Sequence, residues 1–279
     1  MTVIRLQEKK RINQIISMLT AYDYAMAQAV DQAGLDSILV GDSLGMVVLG
    51  YETTLPVTMA DMLHHCKAVA RGAHRALLIG DMPFMSYQAS VPEAVSNAGR
   101  FLQEAGMDAV KLEGGRERSE AIQAICAAGI PVMGHLGLTP QSIRRLGSFR
   151  PQARSVDGAI RLVEDAHILQ DAGCFALVVE SIPAQLGTWI SQQLTIPVIG
   201  IGAGAGCDGQ VLVTHDLLGM FEQFTPRFVK QYADLARIMA QAFNTYQQEI
   251  EQHSFPADEH ALQMKDELWA QFLKQVEVG

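Results

Sequence analysis

The chain has 279 residues, 49% of them apolar and 18% charged, with a formal net charge of −9. A chain of this size buries about three quarters of its unfolded surface, so a sizeable core is available, while the acidic balance argues against nucleic acid or an anionic membrane surface, which need clustered Lys and Arg. Cys66, Cys126, Cys174 and Cys207 are too scattered for a zinc site or a disulfide framework, and with no bilayer-length apolar run or cleavage signal the expected location is cytoplasmic.

After a basic lead-in to Gln14, the apolar run Ile15 to Ala21 predicts a first strand, and Tyr22 to Ala33 a helix closed by Gly34. Ser37 to Val40 is a second strand that ends abruptly in Gly41, Asp42 and Ser43. A helix over Thr58 to Arg71 follows, then a strand at Ala76 to Ile79 closed by Gly80 and Asp81. Val91 to Ala105 is a helix with Pro92 in its first turn and Gly106 beyond its end. Ala109 to Leu112 is the fourth strand and Arg118 to Ala128 the next helix. Pro131 to His135 is the fifth strand, followed by a long excursion to Arg154 and a helix over Val156 to Ala172. Phe175 to Val179, a helix over Ala184 to Leu194, and Pro197 to Gly202 continue the alternation, with Val211 to Thr214 as an eighth strand.

Strands alternating with helices of ten or more residues predict βαβ units, a parallel sheet and right-handed crossovers. Eight such strands in this length fit a (β/α)8 TIM barrel, with an open doubly wound sheet as the alternative. One step fits badly, because 203–210 is too short for an ordinary crossover helix. Past the eighth strand, Arg227 to Gln252 reads as a long amphipathic helix and Ala261 to Val276 as a second periodic stretch suited to packing or subunit contact. The domain expectation is a single barrel over 1–279 with a helical extension at about 256–279.

Charged groups close several apolar strands, and parallel strands would bring those ends to one face. Asp42 and Asp81 end neighbouring strands, where two carboxylates share either a proton or a cation; oxygen ligands completed by water and substrate describe magnesium. An Asp at a strand-to-helix turn is also a common helix cap. Lys111 and Glu113 share one face of their strand. Facing inward they would hold an anionic substrate and stand beside the metal; facing outward they would be a surface pair of little worth. His135 is open to a site role or a structural one. Glu180, after three apolar residues, is the candidate base, and a base opposite a metal suits metal-assisted enolisation of a 2-oxo acid.

The segment Gly200 to Gly209 contains GxGxxG at Gly204–Gly209 but precedes no ordinary helix, so close backbone packing or a phosphate loop are the readings left. His64 and His65 are expected on a solvated helix surface, and Asp23 is a weak candidate for the pocket.

The chain resembles the ketopantoate hydroxymethyltransferase family at Thr20–Tyr24, Val40–Met46, Thr54–Thr58, Asp81–Met85, Val110–Gly115 and Gly134–Gln141. It does so again at Gly200–Gly204, Asp208–Gln210, His215–Gly219 and Pro226–Phe228. The resemblance implies a barrel of the phosphoenolpyruvate/pyruvate superfamily that assembles as a homo-oligomer, a decamer in the family. It also implies hydroxymethyl transfer from 5,10-methylenetetrahydrofolate to 3-methyl-2-oxobutanoate, giving 2-dehydropantoate on the way to pantothenate. Asp42 and Asp81 match Mg2+ ligands with Glu113 also at the metal, Asp42, Ser43, Asp81 and Lys111 match substrate contacts, and Glu180 matches the proton acceptor; Ser43 rests on the resemblance alone. Two departures stand out: 147–154 lacks the family's usual loop sequence over the pocket, and the tail runs on past His260. A metal-dependent lyase or aldolase working on a 2-oxo acid without folate is the rival reading, and a catalytically silent barrel a more distant one.

Overall fold

The computed structural model describes residues 1–221 and 223–276. Eight parallel strands close into a barrel in sequence order. They are β1 (Ile16–Thr20), β2 (Ser37–Val40), β3 (Leu77–Asp81), β4 (Ala109–Glu113), β5 (Val132–Gly137), β6 (Ala176–Glu180), β7 (Val198–Ile201) and β8 (Gly209–Leu212). β1 pairs with both β2 and β8, which rules out an open doubly wound sheet. The described chain divides into two compact units, Met1–Gln231 and a second that begins at Tyr232.

The strands expected from the sequence all form, within two residues of their expected limits. Local signals explain their helices. Thr58 and Asp61 make a reciprocal capping box at the start of Met59–Gly72. Ser90 caps Val91–Ala105, which ends on Gly106 at a φ of 69°, the left-handed conformation that glycine adopts without a Cβ penalty.

Alternate residues of each strand separate two cores. Val110, Leu112, Leu177, Val179 and Val198 point outward onto the helices, where Phe101 is fully buried; the last contributes about 2 kcal/mol by burial alone. Gly80 has no side chain because a Cβ there would collide with the Phe101 ring. Met18, Leu39, Ile79, Ala109, Met133, Val178 and Ile199 fill the barrel interior.

One element is unmarked in the sequence and one expectation needs correction. The basic lead-in is a helix, Val3–Arg11, capped by Thr2. Its Leu6 enters the interior core with no exposed surface, and Lys9 and Lys10 reach Asp36 and Asp208 at 2.6 and 2.7 Å. That helix closes the bottom of the barrel. Further on, the helix expected from Arg227 is Leu235–Glu251, starting where the Asp234 side chain accepts the Arg237 N–H. The second periodic stretch is helical over Asp266–Val276.

No helix spans the gap between β7 and β8, so the poorly fitting step is real. The link is short because backbone meets backbone: a Cβ on Gly209 would lie 2.5 Å from the Ile16 carbonyl oxygen. Asp208 stabilises the same bend by accepting the Val198 N–H at 2.8 Å. Close packing is therefore what these glycines serve.

Candidate active site

The C-terminal ends of the strands surround a cavity of about 150 Å³ lined by Asp42, Ser43, Asp81, Lys111, Glu113, His135 and Glu180. The residues given a metal, substrate or proton-transfer role in the sequence thus meet in one place. Register explains the convergence. Asp81 pairs with Lys111, Glu113 with His135, and Gly137 with Glu180, so the mouths of β3 to β6 bring Asp81, Lys111, Glu113, His135 and Glu180 to one level. Lys111 and Glu113 are each 4% exposed and face inward, which settles the choice between site and surface.

Lys111 Nζ lies 2.6 Å from Asp81 Oδ1. Burial works against its charge, but Asp81, Glu113 and Asp42 outweigh that and hold the ammonium above its ordinary pKa. The other Asp81 oxygen accepts the Asp42 N–H at 3.2 Å, which sets the two aspartates side by side. Asp42 is pushed well above the usual carboxylate range by burial and by the neighbouring charges of Asp81 and Glu113. This is the signature of a site with more buried negative charge than its own residues neutralise.

His135 bridges two acids. Its Nδ1 is 3.4 Å from Glu113 Oε1, and its Nε2 is 3.1 Å from Glu180 Oε2. The second contact is short but poorly aligned, an ionic contact more than a full hydrogen bond. Burial and Lys111 press the imidazole pKa down, yet the two carboxylates prevail and it is pushed up to about 9. Glu180 keeps 16% of its side chain exposed, against 3% for Glu113 and 2% for Asp81. Among these acids it is the one most open to the cavity.

Gln141, which neither charge nor spacing marks in the sequence, joins the set together. Its Nε2 donates to Asp42 Oδ2 and to the Met82 carbonyl, both at 2.9 Å, and its backbone N–H donates to Glu113 Oε2 at 3.0 Å. Its Oε1 accepts from Tyr87 Oη at 2.7 Å. Asp42 Oδ1 has no hydrogen-bond donor among the described residues and stays available. Tyr22 Oη contacts Ser43 Oγ at 2.8 Å. Asp216 also lines the cavity, and burial pushes its carboxyl up to about 6.

Other sequence candidates fall outside. Asp23 caps the helix Tyr24–Gln32 by accepting the Met26 N–H at 2.8 Å, and it does not line the cavity. His64 is exposed as expected, whereas His65 is partly buried with Nδ1 2.6 Å from the Tyr22 carbonyl oxygen. In the loop 147–154, Phe149 lines the cavity and the Gln152 N–H donates to the Ser181 carbonyl at 2.8 Å. Phe221, Phe224 and Phe228 complete an aromatic rim.

The donor set is compatible with a hard divalent cation. Among the described residues no group of three His, Cys, Asp or Glu side chains is arranged to hold a metal by itself. Two adjacent carboxylates with an unneutralised charge suit a cation that retains several waters and takes its remaining oxygens from substrate.

Comparisons with known proteins bear on kinship and on fold. Residues 1–258 match the ketopantoate hydroxymethyltransferase family. The 3-methyl-2-oxobutanoate hydroxymethyltransferase of Syntrophus aciditrophicus is 57% identical over 260 residues, covering 93% of this chain and 95% of that protein. The enzyme of the same name from Syntrophomonas wolfei is 54% identical over 267 residues, covering 96% and 97%. Among solved structures, phosphonopyruvate hydrolase in complex with oxalate and Mg2+ superposes with a TM-score of 0.60 at 13% identity, covering 100% of this chain and 98% of that one. 2,3-Dimethylmalate lyase, a PEP mutase/isocitrate lyase superfamily member, gives 0.60 at 13% identity, covering 99% and 98%. The structural likenesses speak to fold alone, a TIM barrel, and the sequence matches speak to kinship. This chain belongs to the ketopantoate hydroxymethyltransferase family and is an enzyme.

Proposed function

We propose that the enzyme transfers a hydroxymethyl group from 5,10-methylenetetrahydrofolate to 3-methyl-2-oxobutanoate. With one water consumed, the products are 2-dehydropantoate and tetrahydrofolate. The observation that carries this reading is the separation of roles at the cavity: a buried acidic pair with Lys111 on one side, and the more open Glu180 held by His135 on the other.

Asp42 and Asp81 are the residues that would hold Mg2+, with Glu113 nearby but already engaged by the Gln141 N–H. The cation would supply Lewis-acid polarisation of the 2-oxo group. Lys111 would bind the substrate carboxylate, and Ser43, fixed by Tyr22, would donate a hydrogen bond to a substrate oxygen. Glu180 would take the proton from C3. The resulting carbanion equivalent attacks the one-carbon unit, and a general base of this kind contributes about 10²- to 10⁴-fold. The aromatic rim would exclude water and present flat surfaces to the heterocycle of the donor.

Assembly into a homo-oligomer belongs to the same reading. The helices Leu235–Glu251 and Asp266–Val276 contain no buried residue, although Phe243, Tyr246, Trp269 and Phe272 are large and apolar; sedimentation of the intact protein tests it.

Deuterium exchange at C3 of 3-methyl-2-oxobutanoate tests the chemistry directly. Exchange should require Mg2+ and fall at least a hundredfold in Glu180→Gln, consistent with loss of a general base. Product should form only when the folate donor is added. Carbon–carbon cleavage without folate would favour the lyase reading, and magnesium-dependent exchange that survives in Glu180→Gln would refute the assigned base.

A further inference from the structure

Asp216 lines the same cavity as Asp42 and Glu180, from the short helix Thr214–Leu217 that follows β8. That helix is tied to the end of β1: the Thr214 N–H donates to Thr20 Oγ1 at 2.9 Å, and Thr214 Oγ1 donates to the Thr20 carbonyl. Asp216 is therefore held in place before any ligand arrives. An acidic residue at the third position of a helix commonly reaches back to the N–H of the capping residue. Here, among the described residues, no donor or cation meets the carboxyl, and burial alone pushes it up to about 6. Its neighbour His215 offers no charge, because burial holds that imidazole below its ordinary pKa in spite of Asp23.

Asp216 and Glu180 stand on either side of β7 in the strand order, and the end of β7 is apolar. Ile201, Val213, Phe221 and Phe228 line the same cavity. Phe228 lies so close over Gly202 that a Cβ there would be 2.6 Å from its ring. The mouth thus sets two carboxyl groups apart across an apolar stretch, where a flat heterocycle can lie with one carboxyl at each edge. An amine nitrogen does not leave carbon as its anion, so release of a one-carbon unit from nitrogen needs a proton delivered there. The other candidates are engaged. Lys111 is held as an ammonium by Asp81, His135 is shared by Glu113 and Glu180, and Tyr22, whose phenol pKa is raised by burial, faces Ser43.

We infer that Asp216 is the general acid that opens the one-carbon donor, giving its proton to N10 of 5,10-methylenetetrahydrofolate. The inference rests on the proposed hydroxymethyl transfer and adds a second proton-transfer residue to it. As the bond between the methylene carbon and N10 breaks, its electron pair goes to N10 and the carbon is left as an iminium on N5. Water adds to that carbon while the Asp216 carboxylate takes the proton that the water loses, which restores the acid. The N5-hydroxymethyl group then releases formaldehyde, its hydroxyl proton passing to N5. The oxo-acid carbanion adds to formaldehyde through C3, and the alkoxide so formed receives the proton that Glu180 had removed. One water is consumed and every proton is returned.

The test pairs Asp216→Asn with two one-carbon sources. With the folate donor, kcat should fall at least about a hundredfold, in keeping with loss of a general acid. With formaldehyde supplied in place of the donor the loss should disappear, because no carbon–nitrogen bond remains to be broken. Deuterium exchange at C3, which needs no donor, is measured on the same preparations, and each rate is expressed relative to it so that a partly unfolded sample does not mimic the loss. An equal loss with both sources marks a structural role or one toward the oxo acid and overturns the inference, as does a folate-dependent rate that survives in the variant. Formaldehyde that yields no product in the unmodified enzyme overturns the sequence of steps. No product from the folate donor in the unmodified enzyme refutes the transfer reaction itself, and the role of Asp216 falls with it.

Discussion

Replacing Gln141 by Ala should damage the metal site without removing any ionisable group from it. The amide donates to the Asp42 carboxylate and to the Met82 carbonyl at 2.9 Å, and accepts from Tyr87 at 2.7 Å. The bond to a charged oxygen is worth about 1.5–3 kcal/mol and each neutral one about 0.5–1.5 kcal/mol. Water entering the vacated space recovers part of that, leaving a net loss of about 3 kcal/mol. For a unit of this size the loss lowers the melting temperature by about 6–12 °C. Asp42, freed from its tether, should bind cation less well: groups that orient metal-holding side chains typically contribute about 10- to 100-fold in affinity. Isothermal titration with Mg2+, or Mn2+ binding followed by electron paramagnetic resonance, reads that affinity directly. Deuterium exchange at C3 as a function of magnesium reads its consequence. A Gln141→Ala protein with unaltered metal affinity and exchange at the original magnesium concentration would refute the assignment of Gln141 as the residue that positions Asp42.

Two further outcomes concern stability. Asp31 accepts the backbone N–H groups of His74, Arg75 and Ala76 at 3.0, 3.0 and 2.8 Å; burial pulls its carboxyl up, but these three donors prevail and hold it below the usual range. Its contribution is therefore present above the unfolded value near pH 4 and lost as pH falls through the lower folded value. Asp31→Asn should cost about 2–4 kcal/mol at pH 7, and urea denaturation should show the gap between the proteins closing toward pH 3; a constant gap across that range would refute it. At the floor of the barrel, Leu6→Ala should cost about 2–5 kcal/mol by opening a void beneath Met18 and Ile79, read as a fall in the denaturation midpoint, with a loss below 0.5 kcal/mol counting against the helix as a plug.

Local chemistry made much of this protein legible from its residues in order. Apolar runs of four or five residues, helical periodicity and stopping glycines are short-range signals, and they locate eight strands and the helices between most of them. Charges at strand ends are equally visible, because a charged group closing an apolar run is costly unless something meets it. The N-terminal helix is not legible in the sequence because Leu6 is its one buried residue and six of its nine positions are polar. The start of Leu235–Glu251 is hidden in the sequence because periodicity continues upstream of Asp234, which caps it.

Tertiary structure decided the rest. Ala109–Glu113 is buried along its whole length, so no alternation of exposed and buried positions reveals which side of the strand faces the barrel axis; only closure and register turn Lys111 and Glu113 inward. Gln141 carries no charge, and its importance arises solely because the loops after β2, β3 and β5 arrive at the same point. Residue identity determines what each side chain can do, since that is a property of its own atoms. Which of them act together is a matter of distance, and distances across a barrel are set by the pairing of strands far apart in the chain.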